Sequence, residues 1–311
     1  MSNPVWISEE QVRAALPMAP LIDLMAETLA AFSSGQVEQP VRTVIQAAPD
    51  AFFGCMPALI KTPRAMGAKL VTVFRSNAAK GLPTHLATII LLDPDTGGLL
   101  AVMDGRYITE ARTAAVSAVS ARLLAREDAS VLALIGSGVQ AHSHLEALTL
   151  VRNFKEIRCW SPTRPHLERF VTAHPQVRPS ASAREAADGA DVIALVTAST
   201  TPVIENHWVR NGAHVIAVGA CRPTEREMDP ELIARGRLFV DSRAAALKEA
   251  GDILLGIAEG RFTPEQIEAE LGTLVGASSN ARRNKSEITI FKSLGLAVED
   301  VASAQYVFSL Q

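Results

Sequence analysis

Aromatic residues and net charge are both scarce in this sequence. Aromatic residues make up 5% of its 311 residues, although apolar residues reach 48%, much of them Ala, Val and Leu. This composition favours an α/β protein with strands buried between helices. The formal net charge is −3, and no run of five or six like charges occurs. We therefore expect no nucleic-acid partner and no anionic membrane partner.

Cysteine is also scarce, and long apolar runs are absent. Cys55, Cys159 and Cys221 are widely separated, with no CxxC pair and no histidine spacing typical of a zinc site. We therefore expect a reducing compartment and no metal. No stretch reaches the roughly 18 apolar residues of a membrane helix, and the N-terminal residues are acidic rather than basic. The sequence thus predicts a cytoplasmic protein.

The second half of the chain alternates short apolar runs with helical segments. The segments are 131–135, 155–160, 191–196, 214–219 and 237–241, and all except 155–160 begin or end at, or next to, a Gly or Asp. Such runs are typical of parallel strands that are buried on both faces. The pattern predicts a Rossmann-type, doubly wound parallel sheet.

The first half has a different pattern. After about thirty residues of helical character, the apolar segments 41–45, 69–74, 87–92 and 99–103 follow one another without intervening helices. This order predicts antiparallel or mixed pairing, with a hairpin turn at 93–98. Residues 286–308 are predicted to form one or two closing helices. We therefore expect a second, α+β domain.

A glycine motif follows the first strand of the second half. Gly136, Gly138 and Ala141 form a GxGxxA pattern between an apolar strand and a helix. The first glycine permits a tight turn, the second permits close approach of a pyrophosphate, and the small third residue permits helix packing. A glycine-rich turn of an unrelated α/β fold is the alternative, but the strand and helix context favours a dinucleotide site.

The end of the next strand bears on the choice of cofactor. An NAD-binding domain carries Asp or Glu there, whereas this sequence has Ser161, Thr163 and Arg164. Hydroxyl groups and an arginine favour a 2′-phosphate, so NADPH is predicted in preference to NADH. The alternative is that Arg164 is a solvated surface residue.

Several cationic or titratable residues stand at unusual positions. Arg42 and Lys69 lie within predicted strands, and Arg112 lies in the first turn of a small-residue helix that we expect over 111–124, with Thr109 as its N-cap. The helix dipole disfavours a cation there unless an anion shares the site; a local pair with Glu110 is the alternative. His85 is either an acid–base group or a core histidine.

Taken together, these motifs resemble the ornithine cyclodeaminase and mu-crystallin family. The segments are MGAKLVT (66–72), LAVMDG (100–105), TEARTAAVSA (109–118), IGSGVQA (135–141), VGACRP (218–223) and TIFKSLGLAVED (289–300). They occur in order over nearly the whole chain, and the likeness is greatest to the mu-crystallin branch, whose enzymatic members are ketimine reductases.

The resemblance implies a homodimer and a division of the chain. Residues 1–112 and 287–311 would form a substrate-binding and dimerisation domain, and residues 113–286 a Rossmann dinucleotide-binding domain. It also implies site residues. The expected catalytic residues are Lys69, Arg112 and His85; the expected substrate-binding residues are Arg42, Lys69, Arg112 and Cys221; the expected cofactor-binding residues are Thr113, Gly136, Gly138, Val139, Gln140, Ser161, Thr163, Arg164, Thr197 and Ser293.

Two positions depart from the cyclodeaminase pattern. Gly54 stands where cyclodeaminases have a glutamate that helps hold the substrate's amino group, and Cys221 stands where they have a catalytic aspartate. Without these carboxylates the deamination chemistry lacks its base and its amine anchor. The resemblance therefore implies NADPH-dependent reduction of a cyclic ketimine carboxylate to a cyclic amino acid.

Two other functions are compatible with the same motifs. An alanine dehydrogenase or reductive aminase would use the same cations to hold a 2-keto acid and would add ammonia or an amine. A non-enzymatic relative would use the dinucleotide site and the cations to bind a carboxylate-bearing hormone or metabolite.

Overall fold

The computed structural model describes residues 3–277 and 281–311, which form two compact units. Unit 1 comprises the chain up to Thr113 together with Gly295–Gln311, and unit 2 comprises Ala114–Leu294. The sequence-based prediction ended the first segment of unit 1 at residue 112 and began its second segment at residue 287.

Helices and strands occur throughout the part of the chain that the structure describes. The helices are α1 (Glu9–Ala15), α2 (Met18–Ser33), α3 (Arg106–Leu124), α4 (Val139–Val151), α5 (Arg164–Ala173), α6 (Ala183–Ala187), α7 (Pro230–Arg235), α8 (Arg243–Glu249), α9 (Gly251–Ala258) and α10 (Ala297–Phe308). The strands are β1 (Val5–Ile7), β2 (Val37–Glu38), β3 (Thr43–Ala48), β4 (Ala51–Lys61), β5 (Arg64–Phe74), β6 (His85–Leu92), β7 (Leu99–Asp104), β8 (Val131–Ile135), β9 (Glu156–Trp160), β10 (Val177–Pro179), β11 (Val192–Leu195), β12 (His214–Ala217), β13 (Arg237–Val240), β14 (Ile267–Glu270) and β15 (Thr289–Lys292).

Unit 1 is built on a mixed sheet with the strand order β1-β7-β6-β5-β4-β2, and β3 also pairs with β4. The strands β2 to β7 pair antiparallel, whereas β1 runs parallel to β7. The Asp93 carboxylate accepts hydrogen bonds from the N–H groups of Asp95 (2.8 Å) and Thr96 (3.0 Å) in the turn between β6 and β7. The mixed sheet and its hairpin agree with the sequence pattern.

One face of this sheet is the core of unit 1. Side chains alternate between the faces of a strand, so Met56, Lys69 and Ile89, which are register partners on β4, β5 and β6, lie on the same buried face. Helix α10 packs against these three strands and against α2. Lys69 is the charged residue in this apolar layer, with 1% of its surface exposed.

Unit 2 contains a parallel sheet with the order β10-β9-β8-β11-β12-β15-β13-β14. The first six positions reproduce the 3-2-1-4-5-6 order of a dinucleotide-binding fold, in which ligands bind at the carboxyl ends of the strands. The four residues of β11 and of β12 are all buried, as expected of strands covered on both faces. The predicted α/β fold with a Rossmann-type sheet is confirmed.

Three sequence-based assignments are wrong in detail. Residues 289–292 form strand β15 between β12 and β13 rather than part of a closing helix, because the run TIFK is buried on both faces. Strand β4 and the short strand β1 escaped the sequence pattern, although both pair in the mixed sheet.

The start of α3 also differs from the prediction. The helix begins at Arg106, whose N–H donates to the Asp104 carboxylate (2.8 Å). Thr109 is not an N-cap, since its hydroxyl donates back to the Gly105 carbonyl (2.8 Å). Arg112 therefore lies in the second turn of the helix.

Two further features concern the environment of the chain. All three cysteines lie in the described part of the chain, and none of them forms a disulfide. Among the described residues no single helix is long and apolar enough to cross a membrane; α1 and α2 meet those criteria only as a pair, bent by 85° at the break between them.

Candidate active site

Unit 1 holds a buried cluster of charged side chains around Asp300. The Asp300 carboxylate lies 2.6 Å from the Lys69 ammonium and accepts a hydrogen bond of 3.1 Å from Arg112 Nε. Lys69, on β5, is 1% exposed; Arg112, on α3, is 4% exposed; Asp300, on α10, is fully buried. One carboxylate thus joins two cations from different elements.

The predicted anion partner of Arg112 is present, but it is not Glu110. Arg112 Nη1 donates to Glu299 at 2.6 Å, whereas Glu110 lies 3.3 Å from Arg106 on the outer part of the helix. Glu299 and Asp300 occupy the first turn of α10, where the helix dipole favours negative charge. Arg112 is therefore held in place by the amino end of a second helix.

Arg42 and Arg112 converge on Gly295, in the loop before α10. Arg42 donates to the Gly295 carbonyl (3.0 Å), and a Cβ atom placed on Gly295 would lie 2.4 Å from Arg112 Nη1. Gly295 also has a φ of +79°, which L side chains rarely adopt. A glycine is required at this position for both reasons, and it allows both guanidinium groups to lie beside the same residue.

The proton affinities of Lys69 and His85 differ. Burial lowers the pKa of the Lys69 ammonium to about 8, although Asp300 opposes part of this change. Burial also lowers the pKa of His85, at the start of β6, to about 4, and the charges of Lys69 and Arg112 act in the same direction. At pH 7 Lys69 therefore carries a proton, whereas His85 is neutral.

The acidic partner remains ionised. Burial acts to raise the pKa of Asp300, but the charges of Arg112 and Lys69 outweigh burial and hold that pKa below its usual value. Each charge of this group has an opposite neighbour, so removal of one partner would leave an uncompensated buried charge and destabilise the fold.

In unit 2 the glycine turn joins β8 to α4, as the motif predicts. Gly136 has a φ of +114°, and a Cβ atom there would lie 2.5 Å from the Val196 carbonyl oxygen. Gly138 precedes the first residue of α4, and a Cβ atom there would meet no heavy atom within 4 Å. The backbone at Gly138 is thus open to close approach by a ligand.

Two polar atoms beside this turn support the same interpretation. Ser137 Oγ and Gln140 Oε1 are buried and have no hydrogen-bond partner within the described part of the chain. Buried polar groups without a partner are uncommon in proteins. The Ser137 hydroxyl can donate to a phosphate oxygen, and Gln140 Oε1 can accept from a hydroxyl group. Together with the amino end of α4, these groups fit a dinucleotide.

The residues after β9 occupy the amino end of α5. Thr163 is the N-cap residue of this helix, but its side chain makes no cap hydrogen bond. Arg164 Nε donates to Glu168 at 2.9 Å, and 88% of the Arg164 side chain is exposed. Exposed ion pairs of this type contribute little stability, so the guanidinium can exchange Glu168 for an anionic ligand.

The remaining sequence-predicted residues lie at the ends of other elements. Within unit 2, Thr197 follows β11, Cys221 follows β12, and Ser293 follows β15. Thr113, the last residue of unit 1, donates its hydroxyl hydrogen to the Thr109 carbonyl at 2.6 Å. Val139 is 52% exposed at the first turn of α4.

The two positions that depart from the cyclodeaminase pattern lie in different units. Gly54 is buried within β4, and a Cβ atom there would lie 3.0 Å from Val71 Cγ1. The Cys221 thiol donates to the Val218 carbonyl at 3.3 Å.

Several buried acidic residues escaped the sequence reasoning. Glu299, Asp300 and Asp252 all resemble ordinary first-turn acids of a helix. Asp252 does lie in the first turn of α9, but it is fully buried 3.0 Å from Lys292. The available signal was the lysine in the apolar strand TIFK, which needs a buried partner.

The chain is similar to known proteins over almost its full length. A family model described as the ornithine cyclodeaminase/mu-crystallin family matches residues 3–310. The chain is 45% identical over 311 residues to ketimine reductase mu-crystallin of Mus musculus, covering 98% of this chain and 96% of that protein.

Two solved structures share the fold. The Delta(1)-pyrroline-2-carboxylate reductase of Thermococcus litoralis, in complex with NADH and L-proline, has a TM-score of 0.94 at 33% identity and covers 98% of this chain and 96% of its own. An archaeal alanine dehydrogenase dimer with bound NAD has a TM-score of 0.93 at 31% identity, with coverages of 98% and 95%. The resemblance found in the motifs is confirmed, and the chain belongs to the ornithine cyclodeaminase/mu-crystallin family.

Proposed function

We propose that this protein reduces a cyclic ketimine carboxylate, of the piperideine-2-carboxylate or pyrroline-2-carboxylate type, to the corresponding cyclic amino acid. The observation that carries the proposal is the pair of buried cations Lys69 and Arg112 in unit 1, together with the half-buried Arg42, which shares the Gly295 segment with Arg112. The glycine turn of unit 2 supports a nicotinamide dinucleotide as the source of the hydride. The proteins to which the chain is similar include a ketimine reductase and a pyrroline-2-carboxylate reductase.

The charge of the cluster supports a substrate with one carboxylate. Arg42, Lys69 and Arg112 are three cations, and Glu299 and Asp300 are two carboxylates, which leaves a net charge of +1 among these five groups. One substrate carboxylate neutralises this excess. A second carboxylate would bring an uncompensated charge to a buried site.

The two arginines are suited to hold that carboxylate. A guanidinium group presents paired N–H donors that match a carboxylate. Because Asp300 and Glu299 fix Arg112, and the Gly295 carbonyl fixes Arg42, the donors are oriented before the substrate binds. Such orientation is the main contribution of the protein to catalysis.

Lys69 is the better proton donor of the two candidates. It retains a proton at pH 7, since its pKa is about 8, whereas His85, with a pKa of about 4, does not. We therefore assign Lys69 to protonation of the imine nitrogen, or to holding the substrate iminium in that form. His85 would serve as a neutral hydrogen-bonding group beside it.

Residues of unit 2 would hold the cofactor, which supplies the hydride when bound. The backbone at Gly138 and the amino end of α4 would bind the pyrophosphate, with the Ser137 hydroxyl as an additional donor and Gln140 Oε1 as an acceptor for a hydroxyl group of the cofactor. Ser161, Thr163 and Arg164 favour NADPH over NADH because no acidic residue stands at this strand end to hold the ribose 2′-hydroxyl.

A second candidate activity is the formation of an amino acid from a 2-keto acid and ammonia. The similarity to an archaeal alanine dehydrogenase favours it, and the same arginines would hold the keto-acid carboxylate. A ketimine reductase binds a substrate whose C=N bond is already formed. An alanine dehydrogenase binds a keto acid and ammonia, from which the C=N bond must first form.

A steady-state screen separates these functions. The purified protein is assayed for cofactor oxidation with five- and six-membered cyclic 2-imino acids, with a dicarboxylic imine, and with pyruvate plus ammonia or methylamine, each with NADPH and with NADH. We expect a cyclic monocarboxylate with NADPH to show the highest kcat/KM, at least about tenfold above the others. Turnover of pyruvate plus ammonia alone would overturn the cyclic-imine assignment, and equal or better use of NADH would overturn the cofactor assignment.

We also propose that the protein is a homodimer through the outer face of the unit 1 sheet. Pro57, Ala68, Ile90, Val102 and Trp6 are successive register neighbours across β4, β5, β6, β7 and β1. None of them is buried, and Trp6 is 67% exposed. A continuous apolar row of this kind is typical of a surface that a partner covers.

Placing a charge in this row tests the dimer. We expect Ile90→Glu, on the middle strand of the row, to shift the mass in multi-angle light scattering at micromolar concentration from two chains to one, because the carboxylate would be buried without a partner. Leu150→Glu, at an exposed leucine of unit 2 (53% exposed), is the matched control and is expected to leave the mass unchanged. A monomeric parent protein, or a dimeric Ile90→Glu variant, would contradict this interface.

A further inference from the structure

Three buried charged residues of unit 2 lie outside the groups assigned so far. Glu227, Asp252 and Lys292 are each fully buried. Lys292 ends β15, while Glu227 binds backbone groups that follow β11 and β12. The three residues therefore connect the carboxyl ends of the strands in positions four, five and six of the dinucleotide-binding order.

The Glu227 carboxylate accepts four hydrogen bonds. Its Oε1 accepts from the Thr197 N–H (2.9 Å) and the Thr197 hydroxyl (2.7 Å), and its Oε2 accepts from the N–H groups of Gly219 (2.6 Å) and Ala220 (3.1 Å). The two strand-end segments are also in close contact, since a Cβ atom on Gly219 would lie 2.0 Å from the Thr197 carbonyl oxygen. A single carboxylate thus holds both segments together.

The backbone at Glu227 is held in turn by Asp252. The Asp252 Oδ1 accepts from the N–H groups of Glu227 (2.8 Å) and Met228 (2.9 Å), and Asp252 Oδ2 lies 3.0 Å from the Lys292 ammonium. Burial acts to lower the pKa of Lys292, but the charge of Asp252 and other nearby groups outweighs burial and raises it. The position of Glu227 is therefore set by two charged side chains and not by packing alone.

The four donors require the ionised form of Glu227. Burial raises the pKa of this carboxyl to about 7, against the opposing influence of Lys292. Keeping a buried carboxylate ionised is costly, and an apolar residue of similar size would avoid that cost but would leave the donors of Thr197, Gly219 and Ala220 without an acceptor. The carboxylate therefore has a purpose that packing does not explain.

We propose that Glu227 is a positioning residue for the nicotinamide half of the cofactor. In this fold the adenosine half of the dinucleotide lies over the strands in positions one to three and the nicotinamide half over those in positions four to six. By holding Thr197, Gly219 and Ala220 in one arrangement, Glu227 shapes the backbone on the nicotinamide side. The inference rests on the proposed function, because it requires dinucleotide binding in unit 2.

Glu227→Gln tests this role with little change in side-chain volume. The amide has one oxygen and one NH₂ group, so it places a donor against two of the four donors. We expect the Kd for NADPH, measured by fluorescence titration, to rise about tenfold, while the Kd for ADP, which has the adenosine and the diphosphate but neither the nicotinamide nor the 2′-phosphate, changes by less than about twofold. If Glu227 only stabilised the fold, Glu227→Gln would raise the Kd for NADPH and the Kd for ADP by similar factors.

Asp191→Asn is the matched control. Asp191 is a buried carboxylate of the same unit that accepts from the N–H groups of Ser130 (2.8 Å) and Val131 (3.0 Å) at the amino end of β8, the opposite edge of the sheet. We expect it to lower the Tm but to leave the ratio of the two Kd values unchanged. If Glu227→Gln does not accumulate as folded protein, Thr197→Val, which deletes one donor to Glu227, is expected to raise the same ratio about threefold.

The outcomes separate the inference from the proposed function. A parent protein that binds neither NADPH, NADH nor ADP would overturn the proposed function. If the parent binds these ligands and Glu227→Gln or, where needed, Thr197→Val leaves the ratio unchanged, the positioning role is wrong and the proposed function stands.

Discussion

Arg112→Ala is expected to lower kcat/KM for a cyclic imino acid about a thousandfold, or by about 4 kcal/mol in transition-state free energy. The variant removes a guanidinium that Glu299 and Asp300 hold in position, and it changes the net charge of the cluster from +1 to zero. A substrate carboxylate then has less opposite charge to neutralise it. Steady-state kinetics with saturating NADPH measure the loss.

The stability of this variant must be measured beside its activity. Removing Arg112 leaves Glu299 without that buried partner, which costs about 3 kcal/mol of folding free energy. NADPH binding by fluorescence titration, a property of unit 2, reports whether the variant is folded and is expected to be retained.

Two further variants isolate the contribution of the guanidinium. Arg112→Lys keeps the charge and loses the paired donors, so an intermediate loss of activity is expected. Arg106→Ala removes an arginine of the same helix that also pairs with two glutamates, Glu9 and Glu110, and is expected to change kcat/KM by less than about threefold. Unchanged kinetics in Arg112→Ala would show that the cluster does not bind the substrate.

Lys69→Met is expected to lower kcat by about a hundredfold and to change its dependence on pH. In the parent protein the Lys69 ammonium, with its pKa of about 8, loses its proton as the pH rises through that value. The reaction needs the protonated form, so kcat/KM should be constant below pH 8 and should fall about tenfold per pH unit above it. The methionine variant should lack this decrease.

Lys61→Met is the control for replacing a lysine in the same sheet. Lys61 lies at the end of β4 and pairs with Glu38 at 3.0 Å, and both side chains are exposed. Its pH profile should match that of the parent. If Lys69→Met keeps both the rate and the decrease above pH 8, the proton comes from the substrate iminium and Lys69 has no role in the transfer.

The part of the site that sequence reasoning described well is local in the chain. The glycine turn depends on Gly136, Gly138 and the flanking strand and helix, all within about twenty residues. Residue type and periodicity depend on backbone conformation and on strand burial. Such a unit can therefore be inferred from its own residues. The strand order of unit 2 does not follow from that rhythm alone, because β15 is the last strand in the chain but lies between β12 and β13.

The weakest assignments were those for which the local pattern had two interpretations. TIFK at 289–292 is short and apolar, and its position before a helix favoured a helical reading; pairing with β12 and β13 makes it a strand. Thr109 has the residue type of an N-cap, but Asp104 already serves the first N–H of the helix. Neighbouring groups compete for the same hydrogen bonds, and residue type alone does not show which of them forms the bond.

The sequence by itself determined the two-part α/β organisation, the dinucleotide turn at Gly136 and the family, because local patterning and ordered motifs carry that information. Tertiary structure decided the partners of the buried charges: Arg112 and Asp300 are 188 residues apart, and Asp252 and Glu227 are 25 apart. A buried charge requires an opposite charge or a full set of hydrogen bonds. Which residue meets that requirement depends on how helices and strands pack, so the contacts of Asp300 and Glu227 became visible only in the folded chain.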